Sequence, residues 1–306
     1  MSVPRRHHLV PQFLLRRFAK REQIAMVRRN SPHDPPIITA LKKAAVHTDF
    51  YTLDFPDGRR STEMESILSD IENEAAGVIR GLDTRGGFPP SREQKFQLSR
   101  FMAYQFMRGV AFRESIQQTH QIFSEFASEG PPTEQVRKAL RERLQREPTD
   151  LEVEESRRNV NVPPLPSTNQ IKAQHIVTMI DVAESRAALL LGRSWQLFKF
   201  PTPILITGDA PVVPATPFRG PVGLVNADEI LFPIDPLHAL VLWLDERDER
   251  IIDGDEAESR YINAQVALQC YSWIYFRPPH NPIADLDLSP RGPIVRRMRT
   301  VPPDSR

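Results

Sequence analysis

The sequence has little with which to cross-link itself. Of its 306 residues a single one is cysteine, Cys270, so no intrachain disulfide can form. The chain must be held by packing and hydrogen bonds, as in a reducing cytoplasm. Cys270 lies in the mostly apolar run Val266 to Tyr271, a setting for a small buried residue rather than a nucleophile. Long hydrophobic runs are missing as well. The longest strongly apolar one, Ala239 to Leu244, falls far short of the ~20 residues of a membrane span. Near the start, Arg5 and Arg6 are followed by His7 and His8, where a signal peptide needs an apolar core of about seven residues or more. The expectation is a soluble, cytoplasmic chain with no membrane partner. Charge of one sign is absent too, with 40 basic against 39 acidic residues and a net charge of +1. That balance gives no overall drive toward nucleic acid and leaves room only for a local basic patch. There is no Walker loop, no G-x-G-x-x-G, no G-x-S-x-G elbow, no paired cysteine ligands and no H-E-x-x-H, so the functions those motifs mark have no support. No repeat of fixed period is found.

What is present is a composition able to build a core: 40% hydrophobic and 26% charged residues exclude wholesale disorder. Residues 12–19 carry apolar side chains at helical spacing, and Gln23 to Arg28 alternates as a strand. The Pro-rich stretch from Ser31 to Pro36 breaks the chain. Phe50 to Leu53 reads as a strand turned by Asp57-Gly58. A first long helix starts at Ser61 or Thr62 and runs to Leu82, with Met64, Ile67, Leu68, Ile71, Ala75, Val78 and Leu82 on one stripe. Pro89-Pro90-Ser91 introduces a second helix to about Ser128. A third, with a solvated charged stretch from Arg137 to Arg146, follows Thr133. Residues 147–167 read as a loop, and a fourth helix spans Asn169 to Leu191.

Beyond Gly192 the pattern turns to strands: Trp195 to Phe200, Ile204 to Thr207, Glu229 to Phe232, Ala239 to Leu244 and Trp273 to Phe276, with a helix over Glu256 to Gln269. The fold class expected is α+β, a mainly helical N-terminal half packed on a small, mostly antiparallel C-terminal sheet. One domain is expected over 1–281, helical to 192 and sheet from 193, followed by a basic, partly ordered tail over 282–306.

His7-His8 opens the set of chemistry-bearing residues. Neighbouring histidines on an extended segment point to opposite sides, so one can meet a ligand while the other packs inward. Pro11 stiffens the chain just downstream, and imidazole suits both metal binding and proton transfer. The alternative is a flexible terminus with exposed histidines. His175 shares a helix face with Ile171, Thr178, Met179, Val182 and Leu189, which makes it a hydrogen-bonded core residue or a ligand or base in a buried cleft. Gln105 lies mid-face on the second helix beside Leu98, Phe101 and Phe112, and a buried amide needs partners. Arg108 and Arg113 nearby either pair with carboxylates or clamp an anionic substrate. Glu65 and Glu72, seven residues apart at the edge of the first helix's stripe, could serve Mg²⁺ or Mn²⁺ as oxygen ligands, pair with those arginines, or simply face water. Asp209 ends the apolar run Ile204 to Thr207 in a polar turn, where Asp either projects as an active group or stabilises the turn itself.

Two resemblances add to this reading. His-His-x-x-Pro is similar to the start of the metal site in His-Asn-His nucleases, and Asn30 and His33 follow it; but Pro32, Pro35 and Pro36 sit where that site's helix should run. More extensively, His-His-x-x-Pro-Gln-x-x-Leu-x-x-Phe (His7 to Phe18), then Asp49-Phe50-Tyr51, then Thr207 to Val212, resembles the bacterial domain-of-unknown-function family number 4238 over roughly residues 5 to 280. Where that family usually has a Ser-Asp-Asn-Pro-like stretch, this chain has Gly208-Asp209-Ala210-Pro211, which keeps Asp209 and loses the polar residues on either side. The resemblance implies that His7, His8, Gln12, Glu72, Gln105, Arg108, His175 and Asp209 belong to one site.

The leading expectation is a metal-dependent hydrolase, a nuclease acting on phosphodiesters among the candidates, with Mg, Mn or Zn activating water. Its catalytic residues would be His7, His8, Arg108 and His175, its substrate contacts Gln12, Gln105 and Arg113, and its metal ligands His8, Glu72 and Asp209. Nucleic acid or a small anionic molecule would be the substrate. The rival is a non-catalytic nucleic-acid- or protein-binding module whose His/Gln/Arg network is structural. A third reading is a metal-free enzyme using His as base.

Overall fold

The computed structural model describes residues 6–55, 57–82, 87–129, 132–158, 164–216, 222–279, 281–286 and 288. The first part of the chain runs β1 (Arg6–His8), α1 (Gln12–Arg17), β2 (Gln23–Arg28), β3 (Ile37–Ala40), a 3-10 turn (Leu41–Lys43), β4 (Val46–Thr48), β5 (Leu53–Asp54) and β6 (Arg60–Ser61). Helices follow: α2 (Glu63–Leu82), α3 (Arg92–Met107), α4 (Val110–Glu129), α5 (Thr133–Leu144), α6 (Asp150–Arg158) and α7 (Thr168–Leu191). The last part is β7 (Ser194–Lys199), β8 (Thr207–Gly208), β9 (Val213–Ala215), β10 (Glu229–Asp235), β11 (His238–Trp243), β12 (Ile251–Asp253), α8 (Glu256–Gln269) and β13 (Trp273–Phe276). The chain is thus mixed α/β, helix-rich in its first half, with its larger sheets built mainly from the C-terminal part. The described residues fall into two compact units, one within Met1–Phe112 and Lys172–Gly292, the other within Arg113–Ile171. The expectation of one domain over 1–281 does not anticipate this division. Most of the tail expected over 282–306 lies outside the described residues.

The first unit holds two larger sheets. One has the order β12-β7-β11-β10-β9, antiparallel except where β12 runs parallel to β7. Its inner strand β10, between β11 and β9, is buried at every position from Glu229 to Asp235, the signature of a strand covered on both faces. The other sheet, β3-β2-β13-β8, joins two N-terminal strands to two C-terminal ones. The sheet region is therefore not confined to residues 193–281 as expected. Ile274 faces Val27 and Tyr275 faces Met26 across it, and Ile24, Val27 and Ile274 are all buried. The core of the same unit takes Leu68, Ile71, Ala75 and Ile79 from α2, Leu98, Phe101 and Met102 from α3, and Met179, Ala183 and Leu190 from α7. These are the apolar stripes that helical periodicity marks.

Helix starts follow their caps. Ser91 and Gln94 form a reciprocal capping box at α3, Asp255 and Glu258 another at α8, and Ser167 with Gln170 a third at α7. Three local expectations fail, each for a visible reason. The single helix from Ser91 to Ser128 is broken into α3 and α4 at Arg108-Gly109, because glycine weakens a helix interior and the carbonyls released there are bonded by distant side chains. The loop expected over 147–167 contains α6, started by Thr149 and Glu152, each bonding the other's amide. Ile204 to Ile206 is not a strand: the Ile204 and Leu205 amides share the Pro236 carbonyl, and the Ile206 amide donates to Asn263 Oδ1. Only Thr207–Gly208 joins a sheet there.

In the second unit Val136, Leu140 and Val153 form a small core between α5 and α6. Around it Arg137 pairs with Asp150, Arg141 with Glu147 and Arg146 with Glu152.

Candidate functional site

The signature at the head of the chain is ordered and faces inward. β1 pairs antiparallel with β4, His7 opposite His47, and the Leu9 amide extends the pairing to the Ala45 carbonyl. Strand alternation sends the two histidines to different surroundings, as their sequence spacing implies. His7 is fully buried. Its Nδ1 donates to Glu65 Oε1 at 2.5 Å and its Nε2 lies 3.2 Å from Thr52 Oγ1, while its ring meets Tyr51 edge to face at 5.7 Å. His8 is half-buried. Its Nδ1 donates to the Ala44 carbonyl at 3.2 Å, and its Nε2 accepts from the Gln12 amide at 2.8 Å. These partners fix the neutral tautomer carrying its proton on Nδ1.

The backbone between these rings is gripped from α3. Gln105 Nε2 donates to the Leu9 carbonyl at 2.9 Å, and Arg108 donates one terminal nitrogen to the His8 carbonyl. The other terminal nitrogen of Arg108 donates to Glu72 Oε1 at 2.6 Å. Burial pulls the Arg108 guanidinium down, but the Glu72 carboxylate, with Tyr51 and Glu65 nearby, outweighs it and holds the group above its ordinary value. It remains a cation inside the protein, paired as a buried charge must be. Glu65 and Glu72, seven residues apart on α2, therefore both serve the N-terminal strand, one through His7 and the other through Arg108. Gln105 Oε1 and Arg108 Nε are buried without a protein partner.

The break after α3 explains His175. A helix end leaves carbonyls with no partner within the helix. The Met107 carbonyl accepts from His175 Nε2 at 2.8 Å and the Arg108 carbonyl from the Tyr51 hydroxyl at 2.8 Å. His175 is fully buried among Phe50, Tyr51 and Phe112. It is a distant cap on α3, which an apolar helix face carrying one histidine foreshadows but does not specify.

Asp209 has a different employment. Its carboxylate accepts from the amides of Tyr271 at 2.7 Å, Ser272 at 2.6 Å and Trp273 at 2.9 Å, closing the turn between α8 and β13. Its neighbour Gly208 is required because a Cβ there would lie 2.0 Å from Cys270 Sγ. Gly208-Asp209 is thus a packing and turn device, and Cys270 is the small buried residue expected.

Of the residues expected to share a site, His7, His8, Gln12, Glu72, Gln105, Arg108 and, through the end of α3, His175 form one connected network. His8, Glu72 and Asp209, named as metal ligands, are not gathered: among the described residues no group of three or more His, Cys, Asp or Glu side chains is placed to hold a metal ion. The pattern shared with His-Asn-His nucleases does not assemble either, since Asn30 accepts from Arg29 and His33 donates to the Ala284 carbonyl. Arg113 lies in the second unit, lining a small cavity with Gln117, His120 and Gln121. Sequence reasoning missed Thr52 and Tyr51 as partners, although Asp49-Phe50-Tyr51 was part of the family pattern.

Glu65, His7 and Thr52 stand in the order carboxylate, imidazole, hydroxyl, which in hydrolases activates a nucleophile. Here His7 and Thr52 are both 0% exposed, so the hydroxyl is sealed from any substrate. Fold and site together define a mixed α/β protein whose N-terminal strand is locked by a polar clamp from α2 and α3. The chain belongs to the DUF4238 family of proteins of unknown function, whose model matches residues 6–280. No curated protein and no solved structure matches it significantly.

Proposed function

We infer that the chain is a non-catalytic, protein-binding module in which the His-His signature is an internal clamp. The observation that carries this reading is that each recognition group of the signature is engaged by the chain itself. His7 is held by Glu65 and Thr52, His8 by Ala44 and Gln12, Gln105 by Leu9, and Arg108 by Glu72 and His8. A catalytic site would need at least one such group directed at open space.

Protein is favoured over nucleic acid by charge placement. The arginines of α5 and its following turn are neutralised by acidic neighbours in the second unit, so they do not form the unpaired basic stripe that tracks phosphates. An apolar groove in the first unit, of about 150 Å³, is lined by Tyr51, Leu53, Phe55, Ile67, Ile176 and Ile180, with Glu63 among its polar lining. Phe55, Ile67 and Ile180 are each about 40% exposed there (41%, 38% and 42%). Such a groove suits an apolar anchor side chain flanked by a basic residue on the partner.

The test has two arms. Metal content and hydrolysis of bis-p-nitrophenyl phosphate with Mg²⁺, Mn²⁺ and Zn²⁺ should show no stoichiometric metal and no turnover that His8→Ala removes. A protein captured by the purified chain should be lost with Ile180→Asp while the melting temperature is kept. Metal-dependent turnover abolished by His8→Ala in a folded protein would overturn the reading, as would capture indifferent to Ile180→Asp.

A further inference from the structure

One edge of the sheet β3-β2-β13-β8 is open. β3 pairs with β2 alone and carries two adjacent isoleucines, Ile37 and Ile38, which are 52% and 48% exposed and point to opposite faces. Native proteins guard such edges with charged side chains, yet the run from Pro35 to Leu41 has none. The register fixes which backbone groups look outward. The Leu41 amide donates to the Glu22 carbonyl at 3.1 Å, one step beyond the pair Ala40 and Gln23. Hydrogen-bonded pairs alternate along an antiparallel ladder. Thr39 and Ile37 therefore turn their peptide groups toward β2, whereas Ala40, Ile38 and Pro36 turn theirs to the open side. Among the described residues nothing bonds the Ile38 amide, the Ile38 carbonyl or the Ala40 amide.

Pro36 has no N–H to offer, and the Ala40 carbonyl is taken by the 3-10 turn of which Ala40 is the N-cap. The open edge thus presents an acceptor at Pro36, a donor and an acceptor at Ile38, and a donor at Ala40. Turned about a two-fold axis at Ile38, this pattern is its own complement. Ile38 exchanges bonds with the same residue of a second copy, and each Ala40 amide meets the other copy's Pro36 carbonyl, so no outward group is stranded. An ordinary strand laid on the same edge would strand a carbonyl opposite Pro36 and an amide opposite Ala40. In the two-fold register Ile38 packs on Ile38 across one face, and each Ile37 packs on the other copy's Thr39 across the opposite face. Asp34 precedes the run and Lys42-Lys43 follow it, so antiparallel order brings the acidic end of one copy to the basic end of the other. We propose that β3 is a self-association edge, through which two copies of this chain join their sheets antiparallel about a two-fold axis at Ile38. The edge uses none of the groove residues, so the dimer and the protein-binding reading stand independently.

Sedimentation velocity of the full chain, in a series up to about 200 µM to cover the micromolar range of a small interface, should show a monomer–dimer equilibrium. Ile38→Lys sets like charges against each other at the axis and should weaken the dimer roughly tenfold or more, and Ile38→Glu should do the same. An equimolar mixture of the two variants should restore it, because residue 38 of one copy then faces the opposite charge on the other. Ile38→Pro removes the central donor while leaving the bonds to β2 intact, and should weaken the dimer as well. Melting temperatures of these variants should stay close to wild type, since the side chain replaced is half exposed. Leu151→Lys, which places a charge at an exposed leucine of the second unit, should leave the equilibrium unchanged. A chain that is monomeric through the whole series overturns the proposal. So does a dimer that the folded Ile38 variants leave intact, or one that the mixture of Ile38→Lys and Ile38→Glu fails to restore.

Discussion

Replacing Arg108 by Met removes the cation on which the clamp is built while keeping most of its apolar length. The Arg108 side chain is 4% exposed and that of its partner Glu72 is 24% exposed. Breaking a buried ion pair from one side costs about 3–5 kcal/mol, because the remaining charge is stranded. Glu72 keeps part of its access to water, which sets the cost near the low end, about 3 kcal/mol. The His8 carbonyl also loses its donor, adding about 1 kcal/mol or more. A total near 4 kcal/mol is a large share of the roughly 5–15 kcal/mol that holds a domain folded. Trp195, Trp243 and Trp273, the chain's 3 tryptophans, all belong to the first unit, so urea unfolding followed by fluorescence reports the clamp's own unit. Glu72→Leu with Arg108→Met removes both charges together and should recover about 2 kcal/mol or more relative to the sum of the single variants. A loss below about 1 kcal/mol for Arg108→Met, or simple additivity in the double variant, would refute the clamp.

Three further outcomes are expected. His175→Ala empties a buried ring site and strands the Met107 carbonyl, and should cost about 3–4 kcal/mol by thermal or urea melting; His175→Phe should restore packing but not the donor, and recover only part. Gly208→Ala should destabilise by about 1–3 kcal/mol through overpacking against Cys270 and the Trp273 carbonyl, and Cys270→Ala in the same chain should relieve the first of these and recover part of the loss, whereas equal urea midpoints for the two would sink this account. Asp235 is buried; burial raises its carboxyl, but His238, the Leu237 amide and Arg17 together hold it below the ordinary 3.8. A carboxyl depressed in the folded state stabilises above its unfolded value and loses that contribution as pH falls through the folded one. The stability advantage of wild type over Asp235→Asn should therefore be full above about pH 4 to 5 and shrink toward acid. A difference constant with pH would contradict it.

The helices were legible wherever an apolar stripe followed a start signal, because both signals are local: Pro89-Pro90-Ser91 announces α3 from the sequence alone. Arg108-Gly109 was not legible as a break, since a lone glycine is tolerated in many helices. What ends this helix is a pair of donors, Tyr51 and His175, 57 and 68 residues away from the carbonyls they reach. The same holds for the site. Polar residues on apolar faces marked Gln105 and His175 as needing partners, Arg108 was weighed as a partner of carboxylates or a clamp on an anion, and the spacing of Glu65 and Glu72 put both on one helix. Periodicity gives no information about which partner is chosen. The carboxylates of α2 could equally have turned to a cation in solution, and the choice was made by where α3 brings its guanidinium. Asp209 shows the opposite limit: its ligands are three backbone amides, which leave no trace in the side-chain pattern.

The clamp also orders events in time. β1 is made before the groups that hold it: Glu65 lies 58 residues behind His7, and Arg108 lies 100 residues behind His8. The far end of α3 is not secured until His175 is made. A nascent chain must therefore carry this strand unpaired from those helices until α3 has been made, closing long loops before that strand is rewarded. The order of synthesis thus separates the strand from its clamp: β1 is made before either of the helices that grip it.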